Sequence, residues 1–157
     1  MKLVDQTFAG LAEKSPSQTF FAALYEHFAR PEAWRVFDDV LPALETLSAR
    51  GHKLGVVSNW DERLRPLLGR LGLDRFFSEV IISCEVGAAK PDSRIFRAAA
   101  EKLAVEPGAI LHVGDSLEAD VQGARKAGWE AIELRRAGEK ARERTPGVIS
   151  SLRELVA

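Results

Sequence analysis

Apolar positions along the chain follow two different rhythms. In the first third they recur at three and four residues: Leu3, Val4, Phe8 and Leu11, then Phe20, Phe21, Leu24, Tyr25 and Phe28 after a break at Ser15-Pro16, then Leu41, Leu44 and Leu47 ahead of Gly51. That spacing predicts three amphipathic helices, the third running from about Leu41 to Arg50 and stopping at the glycine. From Leu54 onward the pattern changes to short apolar runs separated by amphipathic stretches. Strands are expected at Leu54–Val57, Val80–Cys84, Ile110–Val113 and Ala131–Leu134, with helices at Glu62–Leu71, Arg94–Leu103 and Ala119–Ala127 between them. Strand alternating with helix is the pattern of a parallel sheet covered by helices. The fold class is therefore α/β with a Rossmann-like parallel sheet. Residues 1–50 form a helical part and residues 51–157 the sheet-bearing core. The charged stretch from Arg135 to Thr145 reads as a solvated loop or short surface helix before a last turn at Ser150–Val156.

Composition narrows the picture. With 157 residues, 46% of them apolar, the chain suits one compact globular domain. A formal net charge of −1 supplies no broad positive field for a nucleic-acid backbone. The lone cysteine, Cys84, excludes an internal disulfide and is expected to be a small buried side chain at the end of its apolar run. Neither a signal peptide nor a membrane-length apolar run is seen, so the expected location is the cytoplasm.

In a parallel sheet, ligands collect at the carboxyl ends of the strands, so the residues following each apolar run are the ones to read for chemistry. Ser58 and Asn59 follow Val57. They offer a hydroxyl and an amide for a phosphate, or a cap for the next helix. Lys90, in the loop Gly87-Ala88-Ala89-Lys90-Pro91-Asp92, either neutralises a phosphoryl group or is solvated. Asp115 follows Gly114 at the end of the third strand, with Asp120 five residues on. Two carboxylates at one strand end suit magnesium, and the alternative is again helix capping by Asp115.

Taken together, Ser58-Asn59, Lys90-Pro91-Asp92 and Gly114-Asp115 with Asp120 resemble the second, third and fourth motifs of the haloacid dehalogenase superfamily, in its phosphatase branch with a small helical cap. Asn59-Trp60-Asp61, Gly72-Leu73, Ile95-Phe96 and Ala124 to Gly128 strengthen the likeness. The resemblance implies that Ser58 and Asn59 bind the transferring phosphoryl group and that Lys90 balances its charge. Asp115 would ligate Mg2+ with help from Asp120, and the helices before Gly51 would be part of a cap that selects the substrate.

The resemblance also exposes a departure. Members of that family open with a strand ending in Asp-x-Asp, whose first carboxylate is the nucleophile, and no Asp-x-Asp occurs near this N-terminus. In the family that strand lies between those ending at Ser58 and Asp115, so a gap in the sheet is expected. Such a gap leaves two inner strand edges whose N–H and C=O groups cost about 1–3 kcal/mol each if buried without partners. Either something fills it or the flanking strands close directly. Residues Met1 to Thr7 could extend so that Asp5 imitates the nucleophile, although Leu3, Val4, Phe8 and Leu11 suit a helix better. Exchange of elements between two copies is the other candidate, which favours a homodimer. Two functions follow: a Mg2+-dependent phosphate monoesterase acting weakly on a small phosphorylated substrate, using Asp5, Asp115 or water, and a non-catalytic remnant that binds phosphate, Mg2+ or a partner without turnover. Neither nucleic acid nor membrane is expected as a partner.

Overall fold

A computed structural model describes residues 18–136 and 146–157. The first predicted helix, the extended reading of residues 1–7 with Asp5, and most of the charged stretch 135–145 lie outside the described residues. Two compact units divide the chain between Arg35 and Val36.

The first unit contains helix α1 (Gln18–Phe28) and a 3-10 turn at Pro31–Ala33. The Trp34 indole N–H donates to the Phe28 carbonyl at 3.0 Å, which folds the turn back on the helix end. Within the apolar stripe of α1, the rings of Phe20, Tyr25 and Phe28 are exposed.

The second unit begins ahead of the next helix, α2 (Val40–Ala49). The reason is packing: Val40 and Leu44, like Val56 and Trp60, pack against the buried cluster that includes Leu64, Leu68, Val80 and Ile82. Strand β1 (Gly55–Ser58) follows, then α3 (Leu64–Arg70), β2 (Glu79–Ile82), α4 (Ser93–Leu103), β3 (Leu111–Gly114), β4 (Glu130–Leu134) and the short β5 (Val148–Ile149). A π-helical stretch, Leu117–Gln122, runs on into the helical turn Gly123–Lys126 between β3 and β4.

Cys84 corrects one expectation, for it is exposed. Strand β2 ends at Ile82, and Ser83–Val86 forms a helical turn that carries the thiol off the sheet.

All the strand pairs are parallel, but they make two sheets: β1 with β2, and β3 with β4 and β5. Strands β1 and β3 are not hydrogen-bonded to each other, so the expected interruption is present among the described residues and the flanking strands have not closed on it. Successive strand residues point to opposite faces. Val57 and Ile81 accordingly join one core with Ile95, Phe96, Ala99 and Ala100 of α4, together with Val121, Ala124 and Trp129. Val56, Val80 and Ile82 face the other core, under α2 and α3. Helix α4 can serve because Ile95, Phe96, Ala99, Ala100 and Leu103 share one side of it, and Asp92 caps its start by accepting from the Arg94 N–H at 2.9 Å. As α4 packs on β2 and the Gly123–Lys126 turn packs on β4, this helical layer bridges the two sheets.

The C-terminal segment is tied to the start of α2 by Asp39, which is 7% exposed. Its carboxylate accepts from Arg136 Nη1 at 2.9 Å, the Ser151 hydroxyl at 2.8 Å and the Leu152 N–H at 2.8 Å. Burial alone would raise its pKa, but the Arg136 guanidinium, the Leu152 N–H and the Ser151 hydroxyl outweigh burial and hold it at about 2. An unfolded aspartate titrates near 3.9. With the folded value depressed, the stabilisation is present above the unfolded pKa and is lost as pH falls through the folded one. Thermal denaturation in steps from pH 5 to pH 2 should therefore show the melting temperature falling most steeply below about pH 4, and Asp39→Asn should flatten that part of the curve. Equal slopes for parent and variant would show that Asp39 does not carry the acid dependence.

Candidate active site

Strands β1 and β3 both end beside Lys90, which places the carboxyl ends of the two sheets at one locus. The Lys90 ammonium donates to the Val57 carbonyl at 2.8 Å and to Asp120 Oδ1 at 2.6 Å. Its side chain is only 13% exposed, so the solvated alternative for this lysine is excluded. The loop that presents it is held by Asn59, whose amide oxygen accepts from the Lys90 backbone N–H at 2.7 Å and whose amide nitrogen donates to the Lys90 carbonyl at 3.0 Å. Asn59 is thereby committed to positioning Lys90.

Asp120 is the hub of the site. It is 4% exposed. Oδ1 receives Lys90 and lies 3.1 Å from His112 Nε2, while Oδ2 accepts from the Ser116 N–H at 3.0 Å. An ionised carboxylate only accepts, so the His112 tautomer that fits carries its proton on Nε2. Burial acts to raise the Asp120 pKa, but His112, Lys90 and the Ser116 N–H together hold it far below the usual carboxylate range. The site needs Gly114, since a Cβ there would overlap the Asp120 side chain. His112 is in turn packed edge-on against Phe96, with ring centroids 5.6 Å apart and planes at 89°.

The capping alternatives are settled by other residues. Ser116 accepts from the Ala119 N–H and starts the helical stretch after β3, so Asp115 is not its cap. Asp61 accepts from the Arg63 N–H ahead of α3, so neither Ser58 nor Asn59 caps that helix.

A cleft of about 700 Å³ opens between β1 and β3. Lys90, Asp115 and Asp120 line its polar end; Leu44, Leu47, Leu103 and Val113 are among the apolar side chains along it. Ser58, the next residue after Val57, is half-buried and lies outside the lining. The structure thus brings together Lys90, Asp115 and Asp120, leaves Ser58 at the margin, and turns Asn59 to a supporting task. Sequence reasoning missed His112, whose signal was that it is the one polar residue inside the run Ile110–Val113.

Magnesium is bound in proteins through one or two carboxylates, with water and substrate phosphate oxygens completing an octahedron. Asp115 fits that use: it is exposed, borders the cleft, and has no hydrogen-bond or ion-pair partner among the described residues. Asp120 lines the same end of the cleft but is buried, with both oxygens already accepting hydrogen bonds, so Asp115 is the carboxylate left open. Among the described residues no group of three His, Cys, Asp or Glu side chains converges as a metal site.

Comparison with known proteins gives consistent results. The family model for haloacid dehalogenase-like hydrolase matches residues 4–128. Haloacid dehalogenase-like hydrolase domain-containing protein 3 of Mus musculus is 42% identical over 124 residues, which cover 79% of this chain and 49% of that protein. Glyceraldehyde 3-phosphate phosphatase of Methanopyrus kandleri is 35% identical over 131 residues, covering 80% of this chain and 54% of that one. The crystal structure of HAD phosphatase from Thermococcus onnurineus aligns with a TM-score of 0.76 at 34% identity, over 97% of this chain and 70% of that chain. The chain spans about half the length of the curated relatives it matches.

Proposed function

Since the chain belongs to the haloacid dehalogenase-like hydrolase family, we propose that it acts in Mg2+-dependent hydrolysis of a phosphate monoester, yielding an alcohol and inorganic phosphate. The observation that carries this reading is the meeting of a buried, oriented ammonium group with an uncommitted carboxylate at one pair of strand ends. Lys90 is a fixed positive charge that can offset a phosphoryl oxygen without reorganising, because Asp120 and Val57 already hold it. Asp115 would hold the magnesium. When bound there, the ion would supply further positive charge against the phosphoryl oxygens. Ser58, which follows Val57 at the margin of the cleft, is assigned to the phosphoryl group. The name of the Methanopyrus kandleri relative supports a small phosphorylated substrate.

The test is release of phosphate from an aryl phosphate in the presence of Mg2+. Asp115→Asn is expected to reduce the rate by about a hundredfold or more, the scale on which a charge-stabilising group acts. If parent and Asp115→Asn proteins release phosphate at the same rate, the reading fails.

A second reading, binding of phosphate or Mg2+ without turnover, is favoured by the two carboxylates of the cleft. One is engaged by Lys90, which leaves Asp115 alone to serve as both metal ligand and attacking group. Calorimetric binding of Mg2+ that depends on Asp115, with no phosphate released, would favour it.

A further inference from the structure

We propose that His112 is a positioning residue for the phosphoryl site: working through Asp120, it aims the one N–H of the Lys90 ammonium that no described residue accepts. The inference rests on the reading of Lys90 as the partner of a phosphoryl oxygen. A lysine ammonium carries three donors. The Val57 carbonyl takes one at 2.8 Å and Asp120 Oδ1 another at 2.6 Å. With two directions fixed the third follows, so whatever fixes Oδ1 decides where the remaining N–H points.

Lys90 cannot fix Oδ1 itself, because its ammonium ends a flexible stem. Ser116 does not suffice either. Its N–H holds Oδ2 at 3.0 Å, and the terminal torsion of an aspartate is broad, so a carboxylate gripped at one oxygen still swings about its Cβ–Cγ bond. His112 Nε2, 3.1 Å from Oδ1, is the second point that sets the plane.

That point is rigid. Strand β3 holds the His112 backbone through its pairing opposite Ala131. The imidazole stands edge-on to Phe96 and lies 6.0 Å, centroid to centroid, from Trp129. Phe96 and Trp129 are both buried and meet each other at 5.3 Å. Rings in mutual edge contact leave the imidazole little freedom to turn Nε2 away from Asp120. Core packing thus orients a ring, the ring orients a carboxylate, and the carboxylate orients the charge that meets the ligand. The alternative is that His112 only fills the core, and side chains of different shape separate the two. A glutamine amide nitrogen reaches the place of Nε2, asparagine reaches only that of Nδ1, and phenylalanine keeps the ring without a donor.

The experiment uses the full chain and inorganic phosphate with Mg2+ present. Calorimetry measures the affinity, and NMR follows the Lys90 ammonium, whose resonance is seen only while hydrogen bonds slow the exchange of its protons. In the parent protein, phosphate is expected to shift that resonance. His112→Gln should bind phosphate within about threefold of the parent, and His112→Phe and His112→Asn about tenfold more weakly or worse, the scale of a hydrogen bond to a charged group. The ammonium resonance should persist in the first variant and broaden in the other two. Urea denaturation checks that each variant is folded, and two donorless variants of unlike shape are used so that one unfolded protein does not decide the outcome. Equal affinity in the parent and the donorless variants, or an equal loss in all three variants, would overturn the role of His112. A Lys90 resonance that ignores saturating phosphate in the parent would instead overturn the phosphoryl reading itself, so the two failures are told apart.

Discussion

Replacing Asp120 with alanine is expected to lower the free energy of unfolding by about 3–5 kcal/mol, the range seen when one member of a buried ion pair is removed. The loss has two sources. Lys90, with its side chain 13% exposed, would keep its charge in a poorly hydrated place with only the Val57 carbonyl as partner. The Ser116 N–H and the His112 ring would lose their acceptor as well. Urea denaturation should show a lower midpoint with an unchanged slope. A second protein carrying both Asp120→Leu and Lys90→Met removes the two charges together and is expected to recover much of the loss, because an apolar pair of similar volume does not strand a charge. A fall of less than about 1 kcal/mol for Asp120→Ala would mean that the pair behaves as a solvated one.

Truncation of Phe96 to alanine should cost a similar amount, about 3–5 kcal/mol, for a different reason. Its ring is 0% exposed and meets His112 and Trp129 edge-on, at centroid distances of 5.6 and 5.3 Å. The Gly123 backbone lies close beside the ring, since a Cβ on Gly123 would come within 2.9 Å of it. Backbone this close cannot collapse freely into the space, and a cavity that persists adds to the loss of buried surface. The effect should reach the site: with its packing partner gone, His112 no longer fixes Asp120 Oδ1. Denaturation midpoints and the NMR resonances of the His112 ring would record both consequences. Combined with Asp120→Ala the losses should fall short of additive, because the second change acts on a network already broken. Additive losses would separate core from site.

The strands were legible because short apolar runs bounded by Gly, Asn and Asp have few other uses. Expected Ile110–Val113 and Ala131–Leu134 correspond to Leu111–Gly114 and Glu130–Leu134, each within a residue. Cys84 was placed wrongly because its run continues through Ser83 without a stop signal, and nothing local marks the helical turn that begins there. The meeting of Lys90, Asp115 and Asp120 was legible from their places at strand ends. The division of labour among them was not. That Asp120 spends both oxygens inside the protein depends on His112 and the Ser116 N–H, whose orientation is set by the π-helical turn after β3. Pairing of Asp39 with Arg136, 97 residues apart, has no periodic signature either, being a contact made only by the completed fold.

The outer margins of the two sheets are managed differently from the inner ones. Arg65 donates to the Val80 carbonyl at 2.6 Å and is anchored by Glu85 at 2.7 Å, while Arg125 donates to the Ala131 carbonyl at 3.0 Å beside a β5 of only two residues. Guanidinium groups on the rim and strands this short are poor templates for edge-to-edge growth. The inner rows are flanked by helices on either face, so flat sheet-on-sheet stacking has no access to them. Aggregation into cross-β fibres is thus opposed on the outside by charge and on the inside by helices over both faces, so the strand edges left unpaired among the described residues need not make the molecule sticky.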